Sequence, residues 1–343
     1  MASDAKVGQR RRAQTFKGAG LRFKTAGMLF ALVIGAASIA PASAVAPYPN
    51  RPIRIVVPFG AGGFADIVVR LLAQKFTVRS SAQMVIENRP GAGGITAATT
   101  VTSAQPDGYT LFVLSSGILL SKSLLTSMPF DPVTAFAPIS MMSLFDLLLV
   151  VKADSPVHTL KDALDAARAD PQNFNVGTIS PGSTQNVTGE LLRATAGIRM
   201  TVVPHRTSAE VLTSLLRGDT QVGVETYAAL KSAIDAGQVR AIASSGSQRS
   251  ALRPAVPTLR ENGLDAAVDG WNALVAPAGT PGDVIAFLNG HVRAIIADPD
   301  FRKRMIELGG EPLASSPQEL DARLKSDAEM WAAVVTKAGL EPN

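Results

Sequence analysis

The stretch IRIVVPFGAGGFAD, residues 53–66, decides the fold. An apolar run of strand length leads directly into the glycines Gly60, Gly62 and Gly63, and then into a helix-forming segment. Such a loop leaves backbone N–H groups unpaired at the positive end of a helix dipole, where carboxylate or phosphate binds well. Glycine also lets a ligand approach the backbone closely. The segment therefore predicts a strand-loop-helix site for a small anionic ligand.

Residues 1–44 are interpreted as a secretory signal peptide. They start with a basic region, continue through an apolar run over residues 28–40 and end in Ala42-Ser43-Ala44, after which we expect cleavage. The apolar run is too short to span a bilayer, which takes about 20 residues. The sequence thus predicts a protein that is exported from the cytoplasm.

The signal peptide changes what the net charge means. The full chain has 33 Lys and Arg against 28 Asp and Glu, but seven of the cations and one of the anions lie in residues 1–44. The mature chain therefore has 26 cations and 27 anions, so no basic surface for nucleic acid is expected. Because the chain has no cysteine, disulfides cannot stabilise it, and about 300 residues suit two lobes with their own cores.

Apolar runs of strand length alternate with segments of helical spacing, which predicts an α/β fold with mostly parallel strands. We expect strands at residues 53–58, 84–87, 110–114, 146–151, 174–178, 200–203, 221–225, 240–244 and 272–276. We expect helices at residues 68–76, 160–169, 185–196, 209–217, 228–236 and 317–338. The last helix places Leu320, Leu324, Trp331 and Val335 on one stripe, which indicates packing on the core rather than a partner-binding face.

Two places are interpreted as crossings between lobes. Apolar residues 147–151 and 271–276 each lead into a polar stretch marked by proline. Lobe 1 is then residues 45–152 plus 271–343, and lobe 2 is residues 153–270. A single large sheet would show the same alternation, so periodicity alone leaves both architectures open.

The glycine loop also fits a dinucleotide-binding fingerprint. Gly60, Gly62 and Ala65 match G-x-G-x-x-A after a strand, and Glu87 ends the next strand about twenty residues later. This pattern would indicate an NAD-dependent dehydrogenase. Against it, Asp66 puts a negative side chain near the expected pyrophosphate, and export removes the protein from the usual nicotinamide pool.

Hydrolase and metal chemistry find less support. Ser180, His205 and Asp66 could be imagined as a catalytic triad, yet the chain has no G-x-S-x-G motif. The three histidines, His158, His205 and His291, are too scattered for a metal cluster. We therefore expect no catalytic residue, no metal and no cofactor, and hence no enzyme.

A second loop resembles the first in design. Residues 180–184, SPGST, follow the expected strand at 174–178 and precede the helix at 185–196. Their hydroxyls can cap that helix or hydrogen-bond a ligand carboxylate. With one such loop in each lobe, two helix N-termini facing across a cleft could hold an organic acid, and closure of the lobes would exclude water.

At this point the motifs carry a family resemblance. The chain resembles the Bug family, the TctC-like periplasmic solute receptors of tripartite tricarboxylate transporters. The resemblance rests on YPNRPIRIVVPFGAGGFAD, IENRPGAGG, PDGYTL, FDPVTAFAPIS and APAGTP, which follow in order over essentially the whole mature chain. It implies a two-lobed periplasmic binding protein fold of type II, a Venus flytrap with two crossover strands, which binds one small ligand and performs no chemistry.

The resemblance also implies the ligand-binding residues, which lie on loops at the ends of strands. In lobe 1 they are Phe59, Gly60, Gly62, Gly63, Phe64, Asp66, Ser115, Ser116 and Gly117. In lobe 2 they are Ser180, Gly182, Ser183, Thr184, His205, Arg206, Glu225, Thr226 and Tyr227. Phe64 and Ala65 replace small polar residues that the family usually has before Asp66, so we expect a less polar ligand than its relatives prefer.

Two charged residues leave alternatives open. Arg206 could form a bidentate pair with a ligand carboxylate, or a surface or structural ion pair. Glu225 could bind an ammonium or hydroxyl of the ligand, or it could pair with Arg206 and shape the pocket. Asp66 is expected to bind amides at the helix N-terminus rather than to act as a base.

The predicted function is an extracytoplasmic receptor that captures a small carboxylate or related metabolite for a tripartite tricarboxylate-type transporter. Its partners would be that organic acid and the membrane permease subunits, with the receptor itself a monomer. The alternative is a ligand-sensing subunit for a membrane sensor kinase, which would use the same cleft.

Overall fold

Two β-sheets organise the part of the chain that the computed structural model describes, residues 47–337. The predicted signal peptide and its cleavage site lie outside these residues. Both sheets belong to one compact unit of the chain. Among residues 47–337 no helix is both long enough and apolar enough to cross a membrane.

The first sheet has six strands, built from the two ends of the described chain. In spatial order they are β11 (Gly310–Pro312), β4 (Phe136–Phe145), β10 (Gly270–Pro277), β3 (Thr110–Ser115), β1 (Ile53–Val57) and β2 (Met84–Asn88). The second sheet has five strands from the middle of the chain. In spatial order they are β7 (Thr201–His205), β6 (Asn175–Ile179), β8 (Val222–Thr226), β5 (Leu147–Lys152) and β9 (Val239–Ser244).

Parallel pairing is confined to one three-strand unit in each sheet, so the expectation of mostly parallel strands is wrong. β1 pairs in parallel with β2 and β3, and β6 pairs in parallel with β7 and β8. The remaining pairs are antiparallel. β5 follows β4 after a single residue, and β10 follows β9 with no α-helix between them, so neither connection is the helical crossover that joins parallel strands.

The strand at residues 147–152 lies in the second sheet and not in lobe 1, where we expected it. It pairs with β8 and β9, and β4 of the first sheet ends two residues before it, at Phe145. The first crossing is therefore at Asp146. Sequence reasoning placed it later because it missed β4, which carries a proline and has no alternating pattern. The ranges of the two lobes stay a prediction.

Ten helices of the described chain cover the sheets. They are α1 (Phe64–Ser80), α2 (Ile95–Thr102), α3 (Ser116–Leu124), α4 (Leu160–Ala169), α5 (Thr184–Ala196), α6 (Ser208–Arg217), α7 (Tyr227–Asp235), α8 (Gly282–Ile296), α9 (Pro299–Glu307) and α10 (Pro317–Lys337). The six expected helices are confirmed within a few residues, and α2, α3, α8 and α9 are additional. Thr159 caps α4 with Asp162 in a capping box, which starts that helix at the predicted residue, Leu160.

The C-terminal helix α10 packs on the core, as its apolar stripe indicates. Leu320 and Leu324 are buried in the cluster that contains Trp271 of the first sheet. Trp331 and Val335 are buried in the cluster that contains Val222 of the second sheet. One helix thus contributes side chains to the apolar cores of both sheets.

We expect Trp331→Ala to lower the free energy of unfolding by about 3–5 kcal/mol, because it removes a large side chain that is 3% exposed. Met330 is the neighbouring control, since it is 46% exposed and its replacement by alanine should cost less than about 0.5 kcal/mol. Urea unfolding followed by circular dichroism measures both losses. Equal losses for the two variants would show that this end of α10 adds nothing to the core.

Candidate ligand-binding site

Five helices begin where strands end, and their first turns meet between the two sheets. In the first sheet β1 leads to α1 and β3 leads to α3; in the second, β6 leads to α5, β7 to α6 and β8 to α7. They enclose what we call the central cavity. It is lined by Phe59, Gly63, Phe64, Ala65, Ser115, Phe145, Ile179, Thr184, Gln185, Ser208, Thr226 and Asn272.

Backbone dipoles supply the positive potential of the central cavity. Phe64, Thr184 and Ser208 are the first residues of their helices, while Ser115 and Thr226 precede two others. The first turn of a helix leaves backbone N–H groups without intrahelical partners and carries a partial positive charge. No cationic side chain lines this cavity within the described residues. The site can therefore stabilise an anion, and it does so without a fixed counter-ion.

The two halves of the site are in direct contact across the cleft. A methyl group on Gly117 of α3 would lie 2.5 Å from the carbonyl oxygen of Gly182 and from the backbone nitrogen of Thr184. The hydroxyl oxygens of Ser116 and Thr184 are 3.2 Å apart, and a methyl group on Gly60 would lie 2.7 Å from the side chain of Thr207. The central cavity has a volume of about 20 Å³, which is space for about one water molecule. An organic acid can enter only if the two halves separate.

Asp66 anchors the glycine loop rather than facing the cavity. Its carboxylate accepts hydrogen bonds from the backbone N–H of Gly62 and from Arg70 Nε, both at 2.9 Å, and from Asn88 Nδ2 at 2.9 Å. Burial alone would raise the pKa of Asp66, but the hydrogen bonds from Arg70, Gly62 and Asn88 outweigh it and lower the pKa. The expected contact with amides at the helix N-terminus is thus present, and it fixes the loop to the end of β2.

Glu225 lies behind the cavity wall. It is 1% exposed and accepts hydrogen bonds from Gln185 Nε2 at 3.0 Å and Ser208 Oγ at 2.9 Å. Thr226 donates two more, from its backbone N–H at 2.7 Å and its hydroxyl at 3.2 Å. The pairing with Arg206 that we considered is wrong, since all four donors are uncharged. Burial raises the pKa of Glu225, and the four hydrogen bonds offset part of that rise.

His205 and Arg206 lie outside the lining of the central cavity. Arg206 is exposed, and its backbone N–H donates to Glu210 Oε2 at 2.9 Å, next to the N-terminus of α6. The Nε2 atom of His205 is buried without a hydrogen-bond partner among the described residues. Burial lowers the pKa of His205, and the nearby carboxylates of Glu210 and Asp219 offset part of that fall. A role for either residue in ligand binding stays a prediction.

The other predicted residues fall into three groups: some line the central cavity, some form the contact between its two halves, and the rest lie outside both. Phe59, Gly63, Phe64, Ser115, Thr184 and Thr226 line the cavity. Gly60, Ser116, Gly117 and Gly182 form the contact between the two halves. Gly62 is exposed, Ser180 and Ser183 shape the start of α5, and Tyr227 packs against Gly309 with Arg253 over its ring.

Sequence reasoning missed half of the cavity wall. The additional lining residues are Ala65, Phe145, Ile179, Gln185, Ser208 and Asn272. Ser208 could have been found, because it opens the helix after β7 just as Thr184 opens the helix after β6. Phe145 and Asn272 could not, since they come from antiparallel strands that meet only through pairing of β4 with β10.

One side of the cavity is aromatic. The rings of Phe64 and Phe145 meet edge to face with their centroids 5.0 Å apart, and both lie on the cavity wall. The Phe64 ring also fills the space above Gly310, where a methyl group would lie 2.3 Å from its tip. Because this apolar surface faces the helix N-termini, the site suits a ligand with a charged end and an apolar part.

A larger groove of about 690 Å³ borders the same contact, where Gly93 approaches Pro181. Its charged lining consists of Glu190 and Arg193, which form an ion pair with each other at 2.8 Å. Among the five helices named above, it meets the first turn of α5 alone, through Asn186. The central cavity is therefore the better candidate for ligand binding.

The enzyme-like patterns are not assembled into sites. Glu87, which completes the dinucleotide fingerprint, is ion-paired with Arg54 and Arg89. Within residues 47–337 no group of three or more His, Asp or Glu side chains is placed to hold a metal ion.

Comparison with known proteins identifies the family. The family described as "Tripartite tricarboxylate transporter family receptor" matches residues 68–340. The chain belongs to this receptor family. A UPF0065 protein of Bordetella bronchiseptica is 30% identical over 316 residues, which cover 92% of this chain and 93% of the relative.

Solved structures of related receptors share the fold. The periplasmic binding protein BugD matches with a TM-score of 0.82 at 30% identity. The match covers 86% of this chain and 100% of the BugD chain. Rpa4515 of R. palustris with adipate gives the same TM-score of 0.82 and 30% identity, over 86% and 100% of the two chains. MatC of Rhodopseudomonas palustris with bound malate gives 0.79 at 30% identity, over 84% and 100%.

These matches confirm the two-lobed periplasmic binding protein fold and the Bug-family assignment. They also place the receptor among solute-binding proteins and not among enzymes, so the dehydrogenase interpretation of the glycine loop is wrong. In this receptor the loop is held by Asp66 and opens α1 toward the cavity.

We expect Asp66→Asn to lower the free energy of unfolding at pH 7 by about 1–3 kcal/mol, since it weakens three partly buried hydrogen bonds of a buried carboxylate. A lowered pKa means that the ionised form stabilises the fold fully above the ordinary value of 3.8. That contribution is lost as the pH falls through the lowered pKa. The variant should therefore lose less stability than the parent on acidification.

Urea unfolding at a series of pH values from neutral to acid measures this difference. Asp300→Asn is the control, because the Asp300 side chain is 90% exposed and its removal should change stability little. Parallel stability curves for Asp66→Asn and the parent would contradict the assigned role.

Proposed function

We propose that this protein is an exported receptor that captures a small organic acid in the central cavity and delivers it to a tripartite tricarboxylate-type transporter. The observation that carries the proposal is the convergence of five helix N-termini on one cavity, whose lining in the described part of the chain includes no cationic side chain. Oriented backbone N–H groups bind carboxylates well, and the negative charge of the ligand balances their partial positive charges.

The ligands of related receptors support a carboxylate. Structures of Rpa4515 with adipate and MatC with malate match this chain at 30% identity over 86% and 84% of its length. Both ligands are small dicarboxylic acids. In this receptor the aromatic wall of Phe64 and Phe145 favours a ligand whose body is apolar beyond the bound carboxylate.

Closure of the lobes on the ligand follows from the close backbone contact between them. Gly117 and Gly182 approach so closely that side chains would prevent it. In this closed form the cavity is too small for an acid, so binding requires opening, entry and closure around the ligand.

Delivery would take place outside the cytoplasm. The signal peptide predicted at residues 1–44 supports secretion to the periplasm, and the match to a tripartite transporter receptor family supports membrane permease subunits as partners. The proposed receptor acts as a monomer, because the cavity is formed within one chain.

We expect Gly117→Ala to weaken acid binding by about tenfold or more, since the added methyl group would meet backbone atoms across the cleft at 2.5 Å and oppose closure. Alanine is compatible with the helical backbone at this position. Gly290→Ala is the matched control, because it is also a helical glycine and an added methyl group meets nothing within 4 Å.

Titration calorimetry with malate, succinate, adipate and aromatic carboxylates measures the affinities. Saturable binding of at least one acid, lost in Gly117→Ala and kept in Gly290→Ala, supports the proposal. Absence of binding by every acid to the mature protein would contradict it, as would equal binding by the two variants.

A further inference from the structure

The buried carboxyl group of Glu225 is not needed to hold the fold together by charge, because no cation pairs with it in the described part of the chain. Its oxygens are nevertheless fully occupied. Oε1 accepts from Gln185 and Ser208, and Oε2 accepts twice from Thr226. Gln185, Ser208 and Thr226 all line the central cavity. Glu225 is therefore a positioning residue for three polar groups that a ligand would touch.

The ionised carboxylate fixes the direction in which these hydroxyl groups point. A hydroxyl has one hydrogen to donate and two lone pairs that accept. When Ser208 and Thr226 both donate their hydrogens to Glu225, only their lone pairs are left for the cavity. This wall then suits a ligand group that donates a hydrogen bond, such as a hydroxyl or an ammonium group. A ligand carboxylate would face lone pairs and a buried negative charge.

Protonation of Glu225 reverses the direction of its hydrogen bond with Ser208. A proton taken from solvent onto Oε1 can be donated to Ser208 Oγ, which lies 2.9 Å away. Ser208 then accepts from Glu225, and its own hydrogen is free to turn into the cavity and donate to a carboxylate. The same step removes the buried negative charge. No bond other than the new O–H bond of Glu225 is formed.

No other ionisable side chain near β8 in the described residues pairs with the charge of Glu225. The elements packed against β8, together with the loops beside them, carry Lys152, Glu190, Arg193, His205, Arg206, Glu210, Arg217, Asp219, Tyr227, Lys231 and Asp235. None of these side chains is a hydrogen-bond partner of Glu225. Besides Glu225 itself, the acidic residues next in sequence to the cavity lining are Asp66 and Asp146, and each is paired with an arginine, Arg70 and Arg253. Burial, and not a neighbouring charge, raises the pKa of Glu225.

We propose that Glu225 couples the charge of the ligand to a proton: an acid that places a carboxylate against Ser208 binds with uptake of one proton at Glu225, whereas an acid that places a hydroxyl or ammonium group there binds without it. This inference rests on the proposed function, since it concerns the far end of the same bound acid. It names hydroxy and amino acids as the ligands that bind independently of pH, and dicarboxylates as the ligands favoured by acid.

Matched pairs of acids test this coupling in the native mature protein. Succinate is compared with 4-hydroxybutyrate, and adipate with 6-hydroxyhexanoate, so that a terminal carboxylate is exchanged for a hydroxyl on the same carbon skeleton. Calorimetry in buffers of different ionisation enthalpy counts the protons taken up. We expect about one proton for each diacid and about zero for each hydroxy acid. Diacid affinity should fall by about tenfold per pH unit wherever free Glu225 is ionised.

Glu225→Gln isolates the group responsible, because its amide can donate to Ser208 at every pH. In this variant diacids should bind without proton uptake. Glu190→Gln is the control on the same helix as Gln185, and it should keep the native proton count because Glu190 is paired with Arg193. Ser208→Ala is a second variant that keeps the carboxyl but removes the hydroxyl that turns, and it should lower proton uptake on diacid binding.

Equal proton uptake by diacids and hydroxy acids in the native protein would overturn the inference while leaving acid binding in place. Unchanged uptake in both Glu225→Gln and Ser208→Ala would overturn it as well. If no acid binds to the native protein, the proposed function fails and the inference fails with it.

Discussion

The site depends on one constraint: the carboxyl ends of the parallel strands in both sheets point toward the same cleft. Each of five strands is followed, directly or after a short loop, by a helix, so five sets of unpaired backbone N–H groups converge there. These donors cannot be satisfied within their helices, and an anion between them satisfies several at once. The backbone thus provides a positive potential at a cavity whose lining, over residues 47–337, includes no cationic side chain.

Close contact between the lobes depends on residues without side chains. Gly60, Gly117 and Gly182 each lie where a methyl group would meet an atom of the facing lobe at 2.7 Å or less, or the Ser121 hydroxyl at 2.5 Å. The backbone therefore meets backbone at Gly117 and small side chains at Gly60 and Gly182, which leaves little space for water between the two halves. Exclusion of water lowers the local dielectric, which strengthens the interaction of helix dipoles with a carboxylate. The same low dielectric makes the buried Glu225 sensitive to the charge of what binds next to it.

The sequence predicted the parts of this receptor that depend on neighbours along the chain. The loop after β1 and the loop after β6 were recognised because a strand, a glycine and a helix start follow one another. Of the two alternatives left open for Glu225, the pairing with Arg206 is wrong, because its donors are the uncharged Gln185, Ser208 and Thr226, and Gln185 lies 40 residues away in the sequence. β4 was missed for a related reason: its strand character comes from pairing with β10, more than a hundred residues later, and not from its own pattern. The features that the sequence did not predict, β4 and the partners of Glu225, depend on contacts between distant residues and not on local propensity.

The positions of the two crossings explain how the helix N-termini can meet in one geometry. Phe145 and Gly270 are register partners in the first sheet, at the last residue before one crossing and the first after the other. Asp146 is ion-paired with Arg253 at 2.6 Å, and Asp269 accepts a hydrogen bond from the same loop beside the second sheet. In the proposed opening, these two neighbouring crossings and helix α10, which packs into both cores, are the connections that have to adjust. Because the two crossings lie side by side, rotation about them would return the five helix ends to the same arrangement on each closure.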